Sequence, residues 1–261
     1  KALQPIISRE LDVTVTEQFH WLKDHGVVVA PRLWLAQADQ LGLLVQASPR
    51  EASHLLQRGY AYVCAGQYEK AMQDYLAAYE INGTIATLTR YCYLAAFLGH
   101  RDELATAIRQ MLPAASSHSD KARLLACASL LPDLMEDYAP LLAIADDLST
   151  EPLLTNVSVR FSVGAIFLRS GDLARASQIL RGTPTGDSRS LVSLTTTFLF
   201  FSIAEQKQDN AQAAATLNRV ARDFMKRQPQ MDSLNLQFKN RKPGPLWFEY
   251  MGQHLLLREY Q

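Results

Sequence analysis

Histidines, cysteines and paired carboxylates are the residues of this chain with the chemistry to bind metal or catalyse a reaction. A metal centre needs ligands brought together by close spacing, as in His-Glu-x-x-His or Cys-x-x-Cys. His20, His25, His54, His100, His118 and His254 form no such pair, and Cys64, Cys92 and Cys127 stand far apart. Nucleophilic hydrolysis would show a Gly-x-Ser-x-Gly elbow, and nucleotide chemistry a glycine-rich phosphate loop; neither is present. Two acidic pairs, Glu136-Asp137 and Asp146-Asp147, have the type needed for an acid/base couple. They fall near expected helix ends, and we read them as solvated helix charge. The three cysteines take small-residue places on expected helices, which favours packing over reactivity. Asn156-Val157-Ser158 spells a glycosylation sequon, yet Asn is also a preferred helix N-cap, and we expect it to start a helix. Lys239, Arg241 and Lys242 form a small basic cluster in a polar stretch, read as a solvated loop. No residue is assigned to catalysis, cofactor binding or metal binding.

Those side chains need a scaffold, and bulk properties narrow it. Lys+Arg 26 against Asp+Glu 26 leaves no net charge, which argues against a nucleic-acid binder that must displace counterions and against a polybasic membrane-surface protein. Hydrophobic residues at 48% of 261 are enough for a large core, and 12 Gly with 11 Pro are too few for a loop-rich β fold. The longest apolar stretch, 191–204, is short and hydroxyl-rich, so no membrane span is expected. An odd, sparse cysteine count favours a reducing, cytoplasmic setting. The sequence opens at Lys1 without Met or a signal-peptide pattern, and we read it as part of a longer chain.

Residues 52–85 read ASHLLQRGYAYVCAGQYEKAMQDYLAAYEINGTI, an antiparallel helix pair. Leu55, Gly59 and Tyr62 mark its first helix, Gly66 and Tyr68 the turn, and Ala71, Tyr75 and Ala78 the second helix. Gly59 and Ala71 are small where two helices must approach. Asn82-Gly83 is a C-cap signal. The pattern returns at 85–115 with Gly99, Leu104 and Ile108, and again in VGAIFLRSGDLARASQILRG with Gly164, Gly171, Ala176 and Leu180. A weaker copy spans 194–228, with Ala213 and Leu217 in place and Gln208 at the turn. Between the strong copies, helices are expected at 121–131 and 137–148, separated by Pro132. The spacing and the residues at these places match the tetratricopeptide repeat, of about 34 residues. That resemblance implies an all-α, right-handed solenoid of about five helix pairs over 51–228.

The ends differ. Residues 1–50 hold a helix at 16–24, a β-branched run at 27–29 and a helix at 31–46 with Trp34, Leu35, Ala38, Leu41 and Val45 on one face. We read this segment as a degenerate repeat or the end of a preceding domain. Residues 229–261 read as a linker followed by a helix at 246–259 that caps the stack.

A narrower resemblance lies in CASLLPDLMEDYAPLLAIADDL, from Cys127 to Leu148. It is similar to the Cys-Ala-x-x-Pro-Asp element in tetratricopeptide tails of planctomycete-type bacterial serine/threonine protein kinases, with one extra Leu. AAFLGHRDELATAIRQML before it, and SGDLARASQIL and WFEYMGQHLLLRE after it, resemble neighbouring parts of the same tails in the same order. The resemblance implies a C-terminal, partner-recruiting region of a signalling kinase and not its catalytic domain. His100-Arg101-Asp102 spells the kinase catalytic tripeptide, but Ala107 stands where the metal-binding Asn belongs, and no Asp-Phe-Gly is present.

In tetratricopeptide stacks the first helices line a concave groove. The matching positions here are Leu56, Tyr60 and Val63; Thr89, Arg90, Tyr93 and Phe97; Phe161, Ala165 and Arg169; and Phe198, Ser202 and Glu205. Aromatic anchors with scattered Arg suit a protein or peptide partner. Leu56 and Tyr60 replace the Lys and Asn with which chaperone-tail clamps hold a carboxylate, which weighs against that partner. The expected function is a non-catalytic interaction scaffold without cofactor, metal, nucleic acid or membrane. The alternatives are an enzyme whose site is completed by residues 1–50 and a module for homo-oligomer formation.

Overall fold

The computed structural model describes residues 31–150, 152–182 and 191–227. Among them are eleven α-helices, one 3-10 turn and no strand, so the chain is all-α at this level. The expected helices at 16–24 and 246–259, the run at 27–29, the basic cluster Lys239, Arg241 and Lys242, and His20, His25 and His254 lie outside the described residues. The chain divides into two compact units, with the boundary between Thr87 and Leu88.

The first unit contains α1 (Pro31–Ala47), α2 (Ala52–Cys64) and α3 (Tyr68–Asn82). Glu51 caps α2, its side chain accepting from Ser53 N at 3.3 Å. α1 lies against α2, burying Ala38, Leu41 and Leu44 with Ala61, and Trp34 and Tyr62 close over them. α2 lies against α3 where Gly59 meets Tyr75: a Cβ at Gly59 would stand 2.9 Å from the Tyr75 ring, which is fully buried. The pair is also joined by Arg58 and Asp74, through Nε–Oδ2 at 2.9 Å and Nη2–Oδ1 at 2.6 Å. Asp74 is only 4% exposed. A buried carboxylate needs such a two-pronged partner to offset its lost hydration. As expected, α3 ends at a left-handed Gly83, with the Asn82 side chain bonding Thr84 N and Thr87 Oγ1.

The second unit contains α4 (Ile85–Leu98, its first turn before the boundary), α5 (Arg101–Ala114), α6 (His118–Ala128), α7 (Ala139–Leu148), the 3-10 turn Leu153–Thr155, α8 (Val157–Arg169), α9 (Leu173–Arg181), α10 (Leu191–Lys207) and α11 (Ala211–Arg227). α8 is the centre: residues 159–168 are all buried, and it touches α6, α7, α9 and α10. Asn156 is its N-cap, accepting from Ser158 N at 2.9 Å, so the sequon residue starts the helix as expected. α6 begins and ends three residues before the sequence pattern placed it. Ser117 accepts from Asp120 N, a capping bond that fixes the start ahead of the apolar run.

One local closure recurs. A small residue on the first helix, Gly59, Cys92, Gly164 or Ser202, is followed seven residues later by a left-handed residue: Gly66 (φ 75°), Gly99 (82°), Gly171 (87°) or Asp209 (59°). At three of these turns the next N–H reaches back five residues: Gln67 to Tyr62 O, His100 to Ala95 O, and Asn210 to Glu205 O. This is the helix-ending bond that needs a left-handed residue, supplied by Gly or, at higher cost, by Asp. The last copy is therefore out of step with the sequence reading by one residue. Asp209, not Gln208, makes the turn, and Ala214 and Asn218 are buried where Ala213 and Leu217 were expected. Ser202 bonds Ala214 O at 2.9 Å.

Gly164 is the tightest contact, with a Cβ there standing 2.6 Å from Leu180 Cγ and Cδ2. Alanine gains about 1 kcal/mol in helix propensity over glycine, but overpacking costs about 1–3 kcal/mol. Urea unfolding of Gly164→Ala is expected to show a net loss of about 1–2 kcal/mol, and Leu180→Ala added to it should cost less than on its own. A stability equal to the parent would contradict the close approach.

Candidate interaction surface

The first-helix positions fall into two groups. In the first unit, Val63 is buried, while Leu56 and Tyr60 are half-buried. Tyr60 meets Trp34 of α1 edge to face, with centroids 5.8 Å apart. Burial, then the neighbouring Cys64, holds its phenol far above the ordinary range. Part of this face is thus covered from within the chain by α1. In the second unit, Thr89, Tyr93, Phe161 and Ala165 are buried, while Arg90, Phe97, Arg169 and Phe198 keep partial exposure. α8 carries Phe161 and Arg169 and touches α10, which carries Phe198. Ser202 and Glu205 of α10 are buried.

Several chemically suggestive residues have structural partners. Cys92 stands 3.9 Å from Met111 Sδ in the α4–α5 contact. The Cys127 thiol beside it, and then burial, push its thiol well above the usual value. Asp147 pairs with Lys121 of α6 at 2.6 Å, and Asp146 with Arg175 of α9 at 2.7 Å. The acidic pair therefore ties α7 to two neighbours across solvent-exposed bridges. Asp137 accepts from Ala139 N at 2.8 Å at the start of α7. His100 contacts Glu103 at 3.1 Å, and Tyr91 donates to the same carboxylate oxygen at 3.2 Å.

Arg101 donates to Pro132 O at 2.8 Å and Asp133 O at 2.9 Å, while Arg169 donates to Ser129 O at 2.9 Å. The Cys-Ala…Pro-Asp element is thus the end of α6 and the turn beyond it, where Asp133 has φ 50°. Its orphan carbonyls are satisfied by two arginines from elsewhere in the unit, the usual remedy at a helix C-terminus. Neither contact had a sequence signal.

A further surface was not anticipated. Arg181, the last residue of α9, stands between two open clefts of about 460 and 490 Å³. Ser177, Gln178, Gly182 and Gln208 line the first, and Phe201, Asn210, Gln212 and Thr216 line part of the second. Glu205, buried below, approaches Arg181 Nη2 at 3.5 Å and accepts from Asn210 Nδ2 at 2.7 Å. Arg160, 8% exposed, lies directly beneath Gly182, donating to Leu154 O at 2.8 Å and Ile179 O at 3.1 Å. A Cβ on Gly182 would collide with its Nη1.

Among the described residues no group of three or more His, Cys, Asp or Glu is placed to hold a metal, and no helix is long and apolar enough to cross a membrane. No family model matches the chain, and no curated protein sequence matches it.

Two outcomes follow from these contacts. Hydrogen bonds to a charged donor contribute about 1.5–3 kcal/mol, so Arg169→Met should lower stability by roughly 1–2 kcal/mol in denaturant unfolding; an unchanged midpoint would contradict the capping role. Burial, then Glu103, pushes the Tyr91 phenol up to about 12, against 10.0 for an exposed tyrosine. The unfolded chain releases that proton first, so stability is full below about pH 10 and falls as pH rises toward 12. Tyr91→Phe is expected to flatten this alkaline limb in a pH series of melting temperatures, and an unchanged slope would contradict it.

Proposed function

We propose that the chain is a non-catalytic protein-recognition module of the tetratricopeptide kind, a right-handed solenoid of about five helix pairs holding a peptide or helix against its first helices. We further propose, from the resemblance of residues 127–148 and 247–259, that it is a partner-recruiting region of a serine/threonine kinase.

The recurring closure carries this reading. Small residues at Gly59, Cys92, Gly164 and Ser202, with their left-handed turns, repeat one way of joining a first helix to a second. A chain that repeats one pairing offers comparable surfaces in succession, the design by which repeat proteins bind extended partners. Tyr60, Arg90, Phe97, Arg169 and Phe198 supply aromatic and cationic groups with part of their surface open, the residue types that dominate binding hot spots. The non-catalytic half of the proposal draws on the buried charges. Asp74 is committed to Arg58, Arg160 to two backbone carbonyls, and Glu205 to Asn210 and Arg181. Each holds helices together.

Tyr60→Ala, Phe97→Ala and Phe198→Ala, made singly, test the recognition surface. At least one is expected to weaken a partner recovered by affinity selection by tenfold or more in titration calorimetry, with the helical circular-dichroism signal retained. Undiminished binding by all three variants would overturn the reading.

A further inference from the structure

We propose that the Arg181 cleft docks an acidic segment of a partner protein, with an Asp or Glu carboxylate of that segment seated on the Arg181 guanidinium. The inference rests on the protein-recognition reading and specifies its partner.

The Arg181 side chain is 71% exposed, whereas the Glu205 side chain beneath it is only 6% exposed. Glu205 draws on one Nη2 hydrogen, and the Phe201 ring lies 5.9 Å from the guanidinium carbon. Among the described residues Arg181 has no other hydrogen-bond or ion-pair partner. Among the described residues nothing takes one two-donor edge of the guanidinium, while an acid and an aromatic face lie beneath the group. That edge matches a carboxylate in two parallel hydrogen bonds. The anchor is itself held, since Asn210 Nδ2 bonds the other Glu205 oxygen.

Arg181 is the cation of the described lining and is open to solvent, whereas its acid partner Glu205 is buried. Arg160 lies beneath Gly182, which lines the first cleft, and among the described residues it bonds backbone carbonyls. The C-terminal end of α9 offsets part of its charge through Ile179 O. Among the described residues the rest of the two linings is uncharged apart from Glu205, whose oxygens are taken by Arg181 and Asn210. Gln178 on one side and Gln212 on the other carry side-chain amides suited to a peptide main chain, while the Gln208 amide nitrogen and the Thr216 hydroxyl already donate within the fold. Each cleft has the volume of a small binding site, and Arg181 belongs to both, so an extended segment crossing from one to the other would pass its acidic side chain over the guanidinium.

The test is affinity selection of a random-peptide phage library on the whole chain, followed by calorimetry with synthetic peptides. Enriched peptides are expected to share an Asp or Glu, and Arg181→Ala should raise their Kd at least tenfold. Arg181→Ala leaves the buried Glu205 with Asn210 alone, so its thermal midpoint is expected to fall, and binding is measured well below that midpoint, where the variant keeps the parent's helical circular-dichroism signal. Changing the shared acid to its amide should cost the same factor on the parent and almost nothing on Arg181→Ala, which identifies the two as partners. Arg181→Lys should recover only part of the affinity. Peptides without a shared acid, or peptides that respond to Phe97→Ala and not to Arg181→Ala, would overturn the cleft while leaving the recognition reading in place. No enrichment over an unrelated helical protein would overturn both.

Discussion

Close approach of the two helices in a pair is the constraint on which the rest of this structure depends. Gly59 against Tyr75 and Gly164 against Leu180 leave no room for a Cβ without movement of a buried side chain. The packing density of a protein interior makes such a site intolerant of one added methyl group. With the small residue in place, the large partner on the second helix can be completely buried, as Tyr75 and Leu180 are. Seven residues on, the left-handed turn reverses the chain and returns the second helix to this contact. Cys92 and Ser202 meet the same demand differently: one lies against Met111, and the other spends its hydroxyl on Ala214 O.

Arginines finish what apolar contact begins. Arg58 neutralises Asp74 between α2 and α3, Arg160 takes carbonyls from two elements, and Arg101 and Arg169 hold the end of α6 and the turn after it. Helix ends leave carbonyls that water cannot reach once they are packed over, and a guanidinium can satisfy several at once. The guanidinium also stacks on aromatic faces, as when Arg175 Cζ lies 4.1 Å from the Phe167 ring centroid.

Much of the helix pairing was legible because it depends on local residue types. Gly59, Gly66, Gly99, Gly164 and Gly171 announce close contacts and turns, and the alternation of small and large residues announces which faces meet. The last copy was misread by one residue because Asp209 adopts the left-handed conformation that glycine takes in the others. The arginine–carbonyl contacts were illegible for a different reason. Every residue has a carbonyl, so nothing in the sequence marks Ser129, Pro132 or Asp133 as acceptors for side chains some 30 to 40 residues away. Of the candidate surface, the side chains were identifiable but their exposure was not. Tyr93 and Phe161 are buried by tertiary neighbours, and the clefts beside Arg181 arise only when α9, α10 and α11 come together.

The proposed function sets a surface for protein segments on helix pairs that are closed in the same way. Amide hydrogen exchange, measured with and without an affinity-selected peptide, tests that claim most directly. A preformed recognition surface predicts protection confined to the segments that touch the peptide, on the first helices or around 177–217, with exchange at the Gly59 and Gly164 contacts already slow in the free chain. Fast exchange at those two contacts that slows only on binding, or protection spread evenly over the described helices, would contradict it.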